Sequence, residues 1–498
     1  MNGFIYKSFD YSKDGTELLK AFADEPYLVF LDSSLKNSEW GRYSVIAFDP
    51  FAIFEESAES VDLLSLKKNF SSYIQDKREE FLPFHGGLIG YLSYDYGLRQ
   101  EKILRHSKRD INLPDVFFGF YDSSIVIDHF AKKLYISSTG LPEKNVYLRE
   151  KRAQERLKRI IKKLAQSQEE SDIRLESSET ERLPLQSNFT KEAYLASVKR
   201  ALEHIRRGDI YQLNLSQRFE LDYSPSLKCI RLELRRNEPH SGFHLATPQQ
   251  SCGEVHLSSQ TNSLEIYKHL RKISPSSFGC YFQGKDYQIL SSSPERFLNL
   301  RENILQTKPM KGTARRGQDF IEDEVLKARF LHSAKERAEL LMITDLERND
   351  LGRVCEYGSV GVKQMRTLEE YATVFQTTST IEGKLRKDKD CFDALMACFP
   401  GGSVTGCPKI RAMRIIEELE PTSRGLYTGS FGYISFSGNM DFNILIRTLL
   451  ACQNKIYFQV GGGIVADSIP EYEYKETLIK SEAMRACLAA TRQPAPLV

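Results

Sequence analysis

Lys311 stands in Lys308-Pro309-Met310-Lys311-Gly312-Thr313-Ala314-Arg315-Arg316, after a run, Leu300 to Gln306, that reads as a strand. A backbone that turns tightly at Gly-Thr can aim an amine into a cleft. Such an amine becomes a nucleophile when burial or a neighbouring cation lowers its pKa, and is otherwise a solvated loop lysine. Glu295 follows Ser291-Ser292-Ser293-Pro294, at the end of an apolar run that begins at Tyr287. Burial would raise its pKa and make it an acid; exposed, it is a glutamate in a turn.

Two carboxylate pairs share helix faces. Glu336 and Glu339 lie three residues apart in the helical stretch Lys335 to Met342. Ser468, Pro470 and Glu471 mark a second helix start, with Ser468 as cap and Glu471 reaching back, after which Glu473, Glu476 and Lys480 line one face. Like charges at this spacing destabilise an isolated helix, and several carboxylate oxygens are what a hard divalent ion such as Mg²⁺ needs. The alternative is a solvated face laced with ion pairs.

Gly401 and Gly406, in Pro400-Gly401-Gly402-Ser403-Val404-Thr405-Gly406-Cys407-Pro408-Lys409, have the spacing of a phosphate-cradling loop. Cys407 and Pro408 replace the lysine and hydroxyl that such a loop requires, which argues against nucleotide hydrolysis. A helix from Pro408 to Glu418 would present its amino end to an anion such as a carboxylate. Gly461-Gly462-Gly463, after a strand from Lys455 to Val460, reads as a second glycine turn that could meet another. Arg447 lies in an apolar strand, Ile446 to Leu449, where a buried guanidinium calls for an anionic partner.

The elements that must position these groups follow from periodicity. Thr190 caps a helix in which Tyr194, Val198, Ala201 and Ile205 recur at helical spacing, and Gly208 stops it. In the strand Ile210 to Arg218, Tyr211, Leu213 and Leu215 share one face and Gln212, Asn214 and Ser216 the other, so the polar face is solvated or lines a ligand cavity. The first 165 residues alternate short strands and helices, including a strand Tyr27 to Leu31 and a basic helix from Arg149 to Ala165 with a solvated face. Glycines in His85 to Asp95 read as close backbone packing. Residues 166–187 are a polar linker, 188–492 a second region, and 224–262 an irregular insertion whose Cys229, Cys252, His240, His244 and His256 lack metal-ligand spacing.

The chain has 498 residues, enough for about three average domains or one large α/β unit with an extension. With 69 basic and 67 acidic residues its net charge is +2, which provides no field for nucleic acid or an anionic membrane. Nine cysteines without a Cys-x-x-Cys pair suit a reducing, cytoplasmic setting. No apolar run approaches the ~18 residues of a membrane span.

Taken together these stretches resemble the chorismate-utilising enzymes, which include anthranilate synthase component I, aminodeoxychorismate synthase component I and the isochorismate and salicylate synthases. The resemblance covers nearly the whole chain and is densest from Thr190 to Leu488. Lys311 is similar to the lysine that aminodeoxychorismate synthases carry in Pro-x-Lys-Gly-Thr, where anthranilate synthases have alanine. Gly401 to Leu449, with Gly429-Ser430-Phe431-Gly432-Tyr433 and Gly438-Asn439-Met440-Asp441, also resembles the aminodeoxychorismate synthases more closely.

The resemblance implies an α/β (α+β) fold, like that of anthranilate synthase component I, with two stacked, mainly antiparallel sheets enclosing the active site. It implies Mg²⁺-dependent amination of chorismate by ammonia to 4-amino-4-deoxychorismate, for p-aminobenzoate and folate synthesis, with anthranilate synthase as the alternative. Lys311 would form a covalent adduct and Glu295 would protonate the leaving hydroxyl. Glu339 and Glu476 would hold Mg²⁺, with Glu336 and Glu473 behind them. Arg447, Tyr427, Lys480, Thr405, Gly406, Gly461 and Gly462 would surround the carboxylates. Gln212 replaces the lysine that isochorismate and salicylate synthases use to activate water, and Gln376 replaces an anthranilate synthase histidine associated with pyruvate elimination. Ammonia would come from a separate glutamine amidotransferase subunit, and Ser33, Ser34, Arg42 and Tyr43 would offer a tryptophan pocket. A non-catalytic aromatic-ligand sensor is the rival from another class, and it would need neither acid, nucleophile nor metal cage.

Overall fold

A computed structural model describes residues 4–36, 40–56, 63–74, 82–166, 184–223, 242–245, 260–371 and 374–490. Side-chain alternation builds two stacked sheets. In the strand Val29–Asp32, Val29 enters the layer between the sheets whereas Phe30 turns outward towards helices. The shared layer takes Val45, Ile289 and Leu450 from one sheet and Ile89, Tyr91, Phe117 and Phe431 from the other. Fully burying such a side chain contributes roughly 1.5–3 kcal/mol, so the layer is a principal source of stability.

The first sheet runs, in spatial order, through Ile5–Asp10, Lys133–Ser138, Ser123–Asp128, Tyr43–Ala47, Val29–Asp32, Gly279–Gln283, Tyr287–Ser291, Thr448–Cys452, Lys455–Ile464, Gln212–Asp222 and Gly406–Cys407. The second runs through Gly242–Leu245, Ala52–Glu56, Val116–Tyr121, Gly87–Leu92, Ser430–Ser435, Met440–Asn443, Arg296–Arg301, Ile304–Lys308, Val374–Lys384 and Met310–Arg315. The pairs described here are antiparallel, including Phe30 with Tyr281 and Gly90 with Gly432, which join the early and late parts of the chain in both sheets. A Cβ at Gly90 would lie 1.9 Å from the Phe117 carbonyl oxygen, so close backbone packing requires that glycine.

Helices cover the outer faces. Leu264, Tyr267, Met484 and Leu488 lie outside the first sheet, and Leu66, Phe70, Phe392 and Leu395 outside the second. The helix Val146–Gln166 buries Ala153, Leu157 and Ile160, as its periodicity predicts. Its basic face is engaged rather than simply solvated: Arg152 and Arg156 pair with buried Asp122, and Arg159 and Lys163 with buried Glu25. Of the polar linker, 167–183 lie outside the described residues, while Gln186–Ser187 pairs with Phe219 and Glu220. Of 224–262, Gly242–Leu245 forms an edge strand beside Ala52–Glu56, and 224–241 and 246–259 lie outside the described residues.

Four local expectations are corrected. The run Leu300 to Gln306 is not one strand, because Glu302 and Asn303 at φ 52° and 70° make a tight hairpin that pairs Arg301 with Ile304. Gly461, Gly462 and Gly463 lie inside Lys455–Ile464, where they remove side-chain bulk from the strand. Arg447 precedes the strand Thr448–Cys452 at φ 49° and lies outside it. Tyr211 is exposed just before Gln212–Asp222, so only Leu213 and Leu215 of its expected apolar face are buried.

Candidate active site

The Lys311 side chain is aimed by a bulge. Met310 and Lys311 pair with Thr378 and Thr377, but the register slips before Ala314, around Gly312 at φ 73°. A Cβ at Gly312 would meet Glu336 Oε2 at 2.5 Å and Phe330 at 2.9 Å, so both conformation and space demand glycine. The Lys311 carbonyl accepts from Thr377 Oγ1 at 2.9 Å, and Lys311 Nζ donates to the Ser403 carbonyl at 2.7 Å. Lys311 therefore ends in a protein cleft, half-buried, rather than in a solvated loop. Desolvation lowers its pKa; Glu339 and Glu295 oppose that shift and Lys480 reinforces it.

Glu295 is 4 % exposed and immediately precedes the strand Arg296–Arg301. Burial pushes its carboxyl up to about 7 against the lowering effects of Ser403, Lys311 and the Met310 amide. That amide donates to Glu295 Oε1 at 3.3 Å. The Ser403 hydroxyl lies near the carboxyl but outside hydrogen-bonding geometry. A carboxyl near 7 remains partly protonated at neutral pH, while desolvation makes the lysine easier to deprotonate. These are the forms needed by an acid and an amine nucleophile.

The helix Ala334–Gly352 begins at Ser333, whose Oγ accepts from the Glu336 amide at 3.3 Å. It carries Glu336 and Glu339 beside the lysine strand. On Pro470–Ala490, the Glu473 carboxyl accepts from Ser468 Oγ at 2.6 Å through Oε1, while buried Oε2 has no hydrogen-bond partner among the described residues. The expected Ser468–Glu471 cap is thus replaced by a bond to Glu473, because Ile469 separates Ser468 from the first helical residue. Glu476 pairs with Lys480 at 2.6 Å, and a Cβ at Gly462 would stand 3.4 Å from both Glu473 Oε2 and Glu476 Oε1.

These glutamates influence one another across the cleft. Burial raises Glu336, and Glu339 and Glu476 add to the shift; burial raises Glu339, and Glu476 adds to it. Burial also raises Glu473, partly opposed by Ser468. Glu476 goes the other way overall, because Lys480 and other lysines outweigh its burial. No group of three or more His, Cys, Asp or Glu among the described residues forms a closed metal-ligand cluster. Even so, the half-buried Glu336, Glu339 and Glu476 carboxyls, under mutual repulsion, and a buried Glu473 oxygen with no hydrogen-bond partner among the described residues form a donor set that suits a hard cation.

Cationic and small residues form the remaining wall. Lys480 Nζ donates to the Gly461 carbonyl at 3.1 Å. A Cβ at Gly461 would stand 2.9 Å from Tyr427 Oη, and one at Gly463 would stand 2.5 Å from Gln212 Nε2. Gln212 is 1 % exposed and its Oε1 has no hydrogen-bond partner among the described residues. Thr405 Oγ1 donates to the Gly401 and Gly402 carbonyls at 3.0 and 3.2 Å, closing the turn, and a Cβ at Gly406 would meet the Gln212 carbonyl oxygen at 2.3 Å. Arg447 has its guanidinium 6.0 Å from the Tyr371 ring and a 3.4 Å contact to Ser274 Oγ. No carboxylate pairs with Arg447 among the described residues. Burial lowers its pKa, so a bound anion would offset the desolvation.

Arg424 and Glu420 were not singled out by motif. Arg424 makes two hydrogen bonds to Glu420 at 2.9 and 2.8 Å, donates to the Asn214 and Val404 carbonyls at 2.6 and 3.0 Å, and lies 5.6 Å from the Tyr427 ring centre. Glu420 Oε1 also accepts from the Ser216 amide at 2.8 Å. The pair therefore fixes the strand, the glycine turn and Tyr427 together. Its Glu-x-x-x-Arg spacing was the available signal.

Ser33, Arg42 and Tyr43 line a separate cavity of about 370 Å³, with Trp40, Arg296 and Asp441 also on its wall. Arg42 Nη2 pairs with Asp128 at 2.9 Å, and Ser34 Oγ donates to the Ser276 carbonyl at 3.1 Å.

Comparison with known proteins places these features in a family. The chorismate binding enzyme profile matches residues 29–252 and 250–486. Aminodeoxychorismate synthase component 1 of Bacillus subtilis is 33% identical over 477 residues, covering 92% of this chain and 92% of that protein. Anthranilate synthase component 1 of Acetivibrio thermocellus is 33% identical over 486 residues, covering 94% and 91%. The crystal structure of anthranilate synthase component I from Streptococcus pneumoniae superposes with a TM-score of 0.73 at 30% identity, covering 89% of this chain and 92% of that one. No helix among the described residues is long and apolar enough to cross a membrane.

Proposed function

We propose, from the premise that this chain belongs to the chorismate binding enzyme family, that it is the component I of an aminodeoxychorismate synthase. The chain is a chorismate-utilising enzyme; the finer assignment is the amination of chorismate by ammonia to 4-amino-4-deoxychorismate. Similar identity to both kinds of synthase gives no choice between them. The observation that carries the choice is the cleft position of Lys311, with its amine on the Ser403 carbonyl and Glu295 beside it. Anthranilate synthase component I is the alternative.

Chorismate has two carboxylates and a ring hydroxyl that leaves poorly as hydroxide. Arg447, Lys480, Tyr427, the Thr405–Gly406 turn and the Gly461–Gly462 strand would orient the carboxylates, while Gln212 lines the substrate wall. Glu295 gives a proton to the ring hydroxyl as its C–O bond breaks and water leaves. The Lys311 lone pair forms an N–C bond while the ring double bonds shift. The attached amine passes its extra proton to the Glu295 carboxylate, which regains its acid form. Ammonia then forms the second N–C bond as Glu295 returns that proton to the Lys311 nitrogen, the Lys311–carbon bond breaks with its electron pair going to Lys311, and the double bonds shift back. The new ammonium group gives its extra proton to the Glu295 carboxylate, which restores the acid. The net exchange is ammonia for water, with one difficult substitution divided into two.

Mg²⁺, held by Glu339 and Glu476 with Glu336 and Glu473 behind them, would supply positive charge to a substrate carboxylate. Ammonia would come from a separate glutamine amidotransferase subunit, because no cysteine in this sequence stands in Gly-x-Cys-x-Gly. The cavity at Ser33, Arg42 and Tyr43 offers a cation, hydroxyls and an aromatic ring to a zwitterion such as tryptophan, while Ser34 supports the cavity loop.

Intact-protein mass spectrometry after mixing with Mg²⁺ and chorismate without ammonia tests the covalent step. A mass increase mapping to Lys311, followed by aminodeoxychorismate release on adding ammonia, supports the assignment. Absence of an adduct together with anthranilate as product would select the alternative.

A further inference from the structure

We infer that Glu347 is a positioning residue for Lys311, acting through the Gly402 amide and the Ser403 carbonyl. The significance of Lys311 rests on the function proposed above, whereas the proposed structural coupling can be tested separately.

Glu347 lies on the helix that carries Glu336 and Glu339, and is 2 % exposed. Its Oε1 accepts from the Gly402 amide at 2.8 Å, and its Oε2 from Thr307 Oγ1 at 3.4 Å. Thr307 belongs to the strand Ile304–Lys308 that leads towards Lys311. Gly402 adjoins Ser403, whose carbonyl accepts from Lys311 Nζ at 2.7 Å. One carboxyl therefore ties the strand before the lysine to the turn that receives its amine.

The same helix also holds the base of that turn. Asp350 pairs with Lys409, whose Nζ donates to the Cys398 and Pro400 carbonyls at 2.9 and 2.8 Å. A Cβ at Gly402 would lie 2.7 Å from Leu346 Cδ2 and 2.9 Å from Glu347 Oε1, so the turn is pressed directly onto this helix. A buried carboxyl needs hydrogen bonds to offset lost hydration, and Glu347 finds them on the two segments that meet at Lys311. Burial raises its pKa, with Asp350 and Glu295 adding to the shift. The proposed reaction uses Glu347 neither as acid nor as ligand. Its geometric effect falls on the carbonyl that aims the amine, where a small displacement has a large effect on rate.

The full chain is compared with Glu347→Gln, Glu347→Ala and Gly402→Ala. Lys311 is reductively methylated with formaldehyde and borane, and its rate is measured by peptide mass spectrometry relative to exposed Lys285. Glu347→Gln retains an oxygen for the Gly402 amide and should stay within about threefold of wild type in this ratio and in kcat. Glu347→Ala should change the ratio by about fivefold or more and lower kcat by about 30-fold, with KM within about twofold. If the alanine variant does not fold, Gly402→Ala perturbs the same contact from the other side and should also change the Lys311 ratio.

An unchanged Lys311 ratio in a folded Glu347→Ala protein, or in Gly402→Ala if the former does not fold, overturns the inference. So does a loss in Glu347→Gln as large as in Glu347→Ala. A wild-type chain that does not aminate chorismate overturns the proposed function instead, and the labelling comparison still tests the coupling.

Discussion

The Met310 amide donates to the Glu295 carboxyl at 3.3 Å, so the residue immediately before Lys311 also holds the acid. The Lys311 strand and the Glu295 carboxyl therefore cannot be displaced independently. Lys311→Ala should reduce aminodeoxychorismate formation by about 10³-fold or more, and Lys311→Arg should fail to restore it because guanidinium stays protonated. Product chromatography and adduct mapping check this; a wild-type rate in the alanine variant would rule out the covalent route.

Glu295→Gln should lower the rate by about 10²- to 10⁴-fold, as expected for loss of a general acid. The same change should stabilise the fold increasingly at higher pH. Folding raises the Glu295 pKa from 4.5 to about 7, so its protonated form causes no charge-burial penalty below about 4.5, and the penalty grows as pH rises through about 7. By pH 8 it approaches about 3 kcal/mol. Paired denaturant titrations at pH 5 and pH 8 should show a larger variant-minus-wild-type difference at pH 8; an equal or reversed difference contradicts the burial account.

Glu339→Gln and Glu476→Gln should each remove most activity while preserving the fold, since each loses an anionic ligand for the proposed Mg²⁺. Thermal unfolding with and without Mg²⁺ gives a second readout: the wild type should gain stability and both variants should gain less. Full activity in excess chelator would exclude the metal requirement.

Gly463→Ala should impair turnover even though alanine favours ordered backbone. Its new Cβ would lie 2.5 Å from Gln212 Nε2, so either the strand or the amide must move. An activity loss of about tenfold, with circular dichroism unchanged, is the expected result. Wild-type kinetics would show that Gln212 yields without disturbing the site.

The purified chain should use ammonium salts but not glutamine alone. Adding a glutaminase partner should restore glutamine-dependent turnover. Liquid chromatography of the amino product distinguishes the donors, and glutamine use by the isolated chain contradicts the proposed division of labour.

Much of the site was legible in local chemistry. The helical spacings of Glu336 with Glu339 and of Glu473 with Glu476 are observed, and Gln212 sits buried on a polar strand face. Less legible was whether glycine marks a turn or a gap. Gly461 to Gly463 lie in a strand because Asn214 to Ser216 pair alongside them, a contact set by residues nearly half the chain away. Arg447 could be recognised as needing an anion, but its left-handed backbone outside the strand depends on the corner linking Asn443 to Thr448.

The sequence by itself determined the inventory: an amine beside glycine, an acid after a strand, paired glutamates on helices and a glycine-rich wall. Tertiary structure decided which groups could act together. Ser403, which receives the Lys311 amine, is 92 residues away in sequence, and Glu347 reaches its turn across 55 residues. The opposite shifts of Lys311 and Glu295 likewise come from burial among distant segments. Residue type sets an intrinsic pKa and a hydrogen-bond capacity, but desolvation and aim depend on what the folded chain packs around it.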